Sequence, residues 1–106
     1  MYNIFSLALE DARIDAAIYA LRDAIDEGKC SYKAVKAYII LDTEIFGYEY
    51  NKRRIKWAQR YLKRHNISFD SLRLIAVKAA DEATDIWKMC EDAIFNCLPS
   101  GLRRFW

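Results

Sequence analysis

The residues best suited to chemistry in this sequence form a basic run between positions 51 and 65. The run holds seven Lys and Arg residues and no Asp or Glu, although the formal net charge of the whole chain is only +2. On an α-helix, six of these cations share one continuous arc opposite Ile55 and Leu62. Trp57 and Tyr61, one helical turn apart, lie beside that arc. Cations next to aromatic rings suit phosphate groups and stacked bases, and equally an acidic protein surface.

The basic run leads to a functional hypothesis with open alternatives. We expect a small non-catalytic regulatory protein that docks on a larger partner with an acidic surface, for example as an inhibitor of a nucleic-acid-handling machine. Direct binding of DNA or RNA by the same face is the alternative. A third explanation is a solvated face whose charge is balanced by acidic residues of the chain's own first and last helices. The predicted partner-binding residues are Lys52, Arg53, Lys56, Trp57, Arg60, Tyr61, Lys63 and Arg64.

A helix-turn-helix arrangement fits the basic run poorly. If Gly47 were the turn glycine, Arg53 and Lys56 would occupy recognition-helix positions that should be buried. Thr43 would also replace the small residue that such turns prefer.

Residues that could carry catalysis are few. The single histidine, His65, is predicted at a helix end, where it serves as a charge partner of the helix dipole. Cys30 could pair with it as a nucleophile, but nothing in the sequence orients the two side chains. A small metal-dependent enzyme is the remote alternative, because two acidic pairs have the spacing of one helical turn: Asp11/Asp15 and Asp81/Asp85. The sequence therefore predicts no enzyme, no metal site and no cofactor.

The elements that must position these side chains are predicted to be helices. The chain has 106 residues, of which 54% are apolar and 30% charged, with three Gly and one Pro. That composition supports a buried core and argues against an all-β fold, which needs many turns. We expect an all-α, compact single-domain bundle of about four helices, over residues 1–98, with a long C-terminal helix at its centre. A short basic and aromatic tail follows at residues 99–106.

The first helix is predicted over about residues 4–27 from its apolar spacing. Gly28 is placed to end it in a left-handed conformation. Ser31 can then cap the second helix, so the connection between the two helices is short.

The second helix begins at Tyr32 and meets a difficulty at Asp42, which would fall on its buried face. Burying a lone carboxylate is unfavourable. We expect the helix to break there, with Asp42 or Thr43 capping a new turn; burial of Asp42 against a basic partner is the alternative. The third helix is predicted over about residues 48–65, with Asn66 as its C-terminal cap.

The last helix is predicted over residues 68–98. Ser68 is its cap, and Ile67 is expected to pack on Leu72. Eight mostly small residues recur at alternating steps of four and three, which predicts close packing on the first and third helices or on a second copy of the chain. This stripe consists of Leu72, Ala76, Ala79, Ala83, Ile86, Cys90, Ala93 and Cys97.

The cysteines and the hydropathy pattern bear on the compartment. Cys90 and Cys97 lie two turns apart on one helix, too far for a disulfide, so we expect both to be reduced core residues. No apolar run approaches the ~20 residues of a membrane span, and the N-terminus lacks a basic leader. We therefore expect a cytoplasmic protein that does not contact a membrane.

Overall fold

The computed structural model describes residues 4–47 and 49–97, without the side chains of residues 4–7, 94 and 95. Within those ranges the chain forms five helices and no strand: α1 (Ile4–Asp26), α2 (Tyr32–Leu41), α3 (Thr43–Phe46), α4 (Lys52–Arg64) and α5 (Phe69–Cys97). The predicted all-α fold with a long C-terminal helix is confirmed, and α3 is a single turn beside four longer helices. The predicted tail at residues 99–106 lies outside the described residues.

The connection between α1 and α2 follows the predicted capping chemistry. Gly28 has φ +75°, a left-handed conformation that glycine adopts without a steric penalty. The N–H of Lys29 donates to the carbonyl of Ala24 at 2.9 Å, and that of Gly28 donates to Ile25 at 3.0 Å. This pair of hydrogen bonds satisfies carbonyls at the end of α1. The hydroxyl of Ser31 accepts an N–H of the first turn of α2 at 3.2 Å.

The break after α2 occurs at Asp42, as predicted. One carboxylate oxygen of Asp42 accepts the N–H of Glu44 at 3.2 Å and so caps α3. Asp42 is also buried, with 3% of its surface exposed, and its second oxygen accepts a hydrogen bond from the Tyr38 hydroxyl. The buried carboxylate is therefore held by a tyrosine and a backbone N–H, rather than by the basic partner of the alternative prediction.

The start of α4 differs from the prediction because Asn51 caps it. The Asn51 side chain accepts the N–H of Arg54 at 2.9 Å, so α4 begins at Lys52 rather than near residue 48. At its other end, Asn66 adopts φ +53° and confirms the predicted cap. The N–H of Ile67 then donates to a carbonyl in the last turn of α4 at 2.9 Å.

The four longer helices pack as two pairs. α5 packs mainly on α1, and α2 packs mainly on α4. The prediction that the third long helix packs on α5 is therefore wrong, because α4 directs its buried side chains at α2; this cluster consists of Ala37, Ile40, Ala58 and Leu62. The main cluster joins α1, α2 and α5 and includes Leu21, Tyr38, Leu72 and Ala76. Phe69, at the start of α5, packs against both clusters and links the two pairs.

The predicted stripe of α5 is buried only over its first half. Leu72 and Ala76 are buried, and the next two alanines of the stripe are half-buried. The remaining members are exposed: Ile86, Cys90, Ala93 and Cys97. The prediction that Cys90 and Cys97 are core residues is therefore wrong. The cap of α5 is as predicted, since the Ser68 hydroxyl accepts an N–H of its first turn at 3.3 Å.

The buried face of α5 turns away from the predicted stripe along the helix. Drift of the stripe on a straight helix is too small to cause this exposure, because Leu72 and exposed Cys90 lie 18 residues, or about five full turns, apart and so share one face. The line that faces α1 runs instead through buried Ala80 and half-buried Thr84 and Trp87. Arg13 of α1 holds this line, because its guanidinium donates to the Thr84 hydroxyl and, at 3.3 Å, to the carbonyl of Ala80.

Candidate functional site

The basic run forms an exposed face because its apolar side fixes the rotation of α4. Ala58 and Leu62 are buried against α2, and Ile55 is half-buried beside them. On the opposite side, the six cations of the predicted arc are all exposed. We call this set the basic arc: Lys52, Arg53, Lys56, Arg60, Lys63 and Arg64.

Among the described residues, no ion pair joins an acidic side chain to the basic arc. Every Asp and Glu of the sequence lies within the described residues. The ion pairs among described side chains all lie elsewhere: Arg13–Asp81, Lys29–Glu27 and Arg73–Glu44. Ion pairing with acidic residues of α1 and α5, which the sequence left open, is thus not observed at this face.

Three ring side chains form a row along one edge of the basic arc. Trp57 stacks on Tyr61, with ring centroids 5.4 Å apart. The ring centroids of Tyr61 and His65 are 4.3 Å apart. The ammonium of Lys36, from α2, lies 5.8 Å from the centre of the Trp57 ring, which is a cation–π contact. We call Trp57, Tyr61 and His65 the aromatic row. These mutual contacts hold the row in place before any partner arrives.

An open groove of about 330 Å³ joins the basic arc to the aromatic row. It brings together six of the eight predicted partner-binding residues: Arg53, Lys56, Trp57, Arg60, Tyr61 and Arg64. The other two, Lys52 and Lys63, do not line the groove and lie at the far edge of the arc. Trp57 is 39% exposed, so its ring is accessible to a partner.

The two residues considered for nucleophilic catalysis occupy separate environments. His65 is exposed, and its backbone N–H donates to the carbonyl of Tyr61 at 3.1 Å, so the residue closes α4. Cys30 packs beside the main core cluster, and burial raises the pKa of its thiol. A raised pKa disfavours the thiolate that nucleophilic catalysis requires. Among the described residues, no hydrogen bond joins Cys30 to His65.

The acidic pairs considered as metal ligands are on the surface. Asp81 forms an ion pair with Arg13 at 3.3 Å. Its predicted companion Asp85 and both members of the other pair, Asp11 and Asp15, are exposed. Across residues 4–47 and 49–97, no group of three or more His, Cys, Asp or Glu side chains is arranged to hold a metal ion.

A second and larger groove lies between α1 and α2, and the sequence did not predict it. Its volume is about 520 Å³, and its walls include Ile18, Ile25 and Ile39. In the sequence these residues have the helical spacing of ordinary core positions, and periodicity alone cannot separate a groove wall from a core. Lys36 belongs to this groove and also contacts Trp57, so the groove adjoins the α4 face.

In the described part of the chain, no helix is long and apolar enough to cross a membrane. A comparison of the sequence and the fold with known proteins finds no matching family model, no matching curated protein and no matching solved structure.

Proposed function

We propose that this chain is a non-catalytic interaction protein that docks on an acidic surface of a larger protein through the basic arc and the aromatic row. The observation that supports this function is that none of the ion pairs among the described residues involves the arc. All the acidic side chains of the chain are described, and none of them lies within ion-pair distance of the six exposed cations. An uncompensated patch of one sign raises the local potential and attracts a partner of the opposite sign.

The aromatic row supplies an anchor for the partner, which the exposed cations do not provide. Solvent and salt screen most of the attraction between exposed cations and a partner. The cations therefore speed the approach of a partner more than they stabilise the complex. A partly exposed Trp at the edge of such a patch is a typical anchor of a protein interface. Trp57 is held by Tyr61 and Lys36, so its ring does not have to be ordered when the partner binds.

Direct nucleic-acid binding is the second candidate, and the aromatic row is the observation that favours it. Proteins bind single strands by stacking bases on aromatic rings beside cations. Here, however, the Trp57 ring already contacts Tyr61 and Lys36, and Tyr61 lies between Trp57 and His65. The rings are largely engaged with one another, which favours a protein partner that packs against the edge of the row.

Charge reversal within the basic arc tests the proposal. The variant Lys56→Glu/Arg60→Glu/Arg64→Glu changes three cations of the arc. A matched control, Lys33→Glu/Lys78→Glu/Lys88→Glu, makes the same change in net charge at exposed positions outside the arc. Both variants and the wild type are immobilised for affinity capture from the native host, and their binding to random-sequence DNA and RNA is titrated at several salt concentrations.

The expected result is that the arc variant loses the captured protein by about tenfold or more while the control retains it. Circular dichroism checks that both variants remain helical. Retention of the same protein by the arc variant would contradict the proposal. Salt-dependent binding of DNA or RNA by the wild type, lost only in the arc variant, would establish the second candidate instead.

A further inference from the structure

The groove between α1 and α2 has the dimensions of a helix-binding site. One wall runs from Ile18 to Ile25 on α1 and the other from Tyr32 to Ile39 on α2. Each wall spans two helical turns, or about 10 Å. Ile18 is 40% exposed and Tyr32 is 72% exposed, so large apolar side chains face solvent at its rim. A groove of this length accommodates the i, i+4 and i+7 side chains of an amphipathic helix.

The rim of this groove is predominantly cationic. Arg22 comes from α1, Lys36 from α2 and Arg54 from α4, against the single acidic residue Asp26. All four side chains are exposed, and none of the ion pairs among the described residues involves them. The groove therefore combines an apolar floor with cations on three different helices, none of which takes part in the ion pairs among the described residues.

The groove is continuous with the side of α4 that carries the basic arc and the aromatic row. Lys36 lines the groove and contacts the Trp57 ring. Arg54 lines it too, and on the helical projection of α4 it lies beyond Trp57 and Tyr61 as seen from the basic arc. A partner seated on the basic arc and the row would therefore reach the groove without leaving the surface.

We infer that this groove receives the apolar side of an acidic amphipathic helix of the docking partner. The inference rests on the proposed function and specifies the binding element. Cations on three helices suit a ligand with several spaced carboxylates, whereas the single carboxylate of a fatty acid would engage one of them. The chain's own C-terminal sequence carries Arg103 and Arg104, so its charge has the same sign as the rim.

A designed peptide tests the inference directly. The probe is a fluorescent helix of about four turns, with Leu at the i, i+4 and i+7 positions and Glu on its other faces. A scrambled peptide of the same composition and a version with Lys in place of Glu are the controls. Binding to the full chain is measured by fluorescence anisotropy, and amide shifts in NMR spectra locate the site.

The groove variant is Ile18→Ser/Tyr32→Ser, which shortens two exposed side chains and leaves the core intact. A matched control, Leu74→Ser/Met89→Ser, changes two exposed apolar residues of α5. We expect the acidic amphipathic peptide to shift amides of α1 and α2, and to bind the groove variant about tenfold more weakly than the wild type or the control. Both peptide controls should bind weakly.

Several outcomes would overturn the inference. These are no binding at millimolar peptide, equal binding of the scrambled peptide, unchanged affinity of the groove variant, or binding of oleate in the groove without the peptide. The two proposals fail separately. If the groove variant still binds the peptide while the arc variant loses the captured partner, only the groove assignment is wrong; if the arc variant keeps the partner, the proposed function is wrong.

Discussion

The hydroxyl of Tyr38 donates a hydrogen bond to the carboxylate of Asp42, one helical turn later, and both side chains are buried. Burial raises the pKa of Tyr38 well above its usual range, and the hydrogen bond and negative charge of Asp42 raise it further. The other oxygen of Asp42 caps α3. The Asp42 carboxylate thus lies where α2 ends and α3 begins. The hydrogen bond from the neutral Tyr38 hydroxyl compensates for the cost of burying its charge.

Substituting Tyr38→Phe should remove this hydrogen bond and leave a buried carboxylate oxygen with one partner fewer. We expect the free energy of unfolding to fall by about 1–3 kcal/mol at neutral pH. Chemical denaturation followed by circular dichroism measures the change. Tyr19→Phe is the matched control, because Tyr19 is 63% exposed. A loss as small as that of the control would contradict the structural role of the pair.

The same pair predicts a dependence on alkaline pH. The folded protein keeps the Tyr38 proton at a pH where the unfolded chain, with a pKa of about 10, releases it. The contribution of Tyr38 is therefore complete below about pH 10 and decreases as the pH rises further. The difference in stability between the wild type and Tyr38→Phe should shrink between pH 9 and pH 11. A constant difference would show that Tyr38 titrates normally.

Enlarging a small residue in the α1–α5 contact should destabilise the fold. Ala76 and Ala80 are fully buried, and replacing either by Leu forces a larger side chain into a packed interface at a cost of about 1–3 kcal/mol. Ala93→Leu makes the same change at an exposed position of the same helix and should be nearly neutral. Thermal melting of the three variants measures the difference. Equal melting temperatures would place Ala76 and Ala80 outside the core.

The cysteines should differ in reactivity. Cys90 and Cys97 are exposed and should react with a thiol reagent within minutes under native conditions. Cys30 is partly buried and the pKa of its thiol is raised, so its reaction should be slower. Mass spectrometry of timed samples counts the modified thiols and assigns them. Protection of Cys90 and Cys97 until the chain unfolds would support their original prediction as core residues.

Reversing charges of the basic arc should not lower stability, because no ion pair would be lost. Lys56→Glu/Arg60→Glu/Arg64→Glu should change the free energy of unfolding by less than about 1 kcal/mol, because relief of repulsion within the arc offsets the loss of the Arg64 cation from the last turn of α4. Arg13→Ala is the contrasting variant. It removes hydrogen bonds to Thr84 and to the carbonyl of Ala80, at a cost of about 1 kcal/mol. A destabilised arc variant would indicate a structural role for these cations.

Local chemistry made much of the fold predictable. Gly28, Ser31 and Asn66 act within a few residues of their own positions, so a sequence shows their roles as caps directly. The break at Asp42 was predictable for the same reason, because an unpaired buried carboxylate is unfavourable in any helix. The tyrosine that accompanies it was not predicted, although Tyr38 stands one turn earlier on the same helix.

Tertiary relationships were harder to predict. The buried face of α5 depends on where α1 lies, since Arg13 of α1 donates hydrogen bonds to Thr84 and to the carbonyl of Ala80, outside the predicted stripe. The exposure of the basic arc followed from the pattern of Ile55 and Leu62, but its lack of ion pairs depends on where α1 and α5 lie. The groove between α1 and α2 exists because each of these helices packs mainly on a different partner.

The unequal burial of α5 implies that its two halves open on different energy scales. Asp92, Ala93 and Cys97, near the end of α5, are exposed, whereas Leu72 and Ala76 in its first half are buried. We expect backbone amides in the exposed part of α5 to exchange with deuterium through local opening, at a lower free energy than amides in its buried part. Amides around Leu72 and Ala76 should exchange only when the whole molecule unfolds. A single continuous helix would then report both the local and the global opening of the protein.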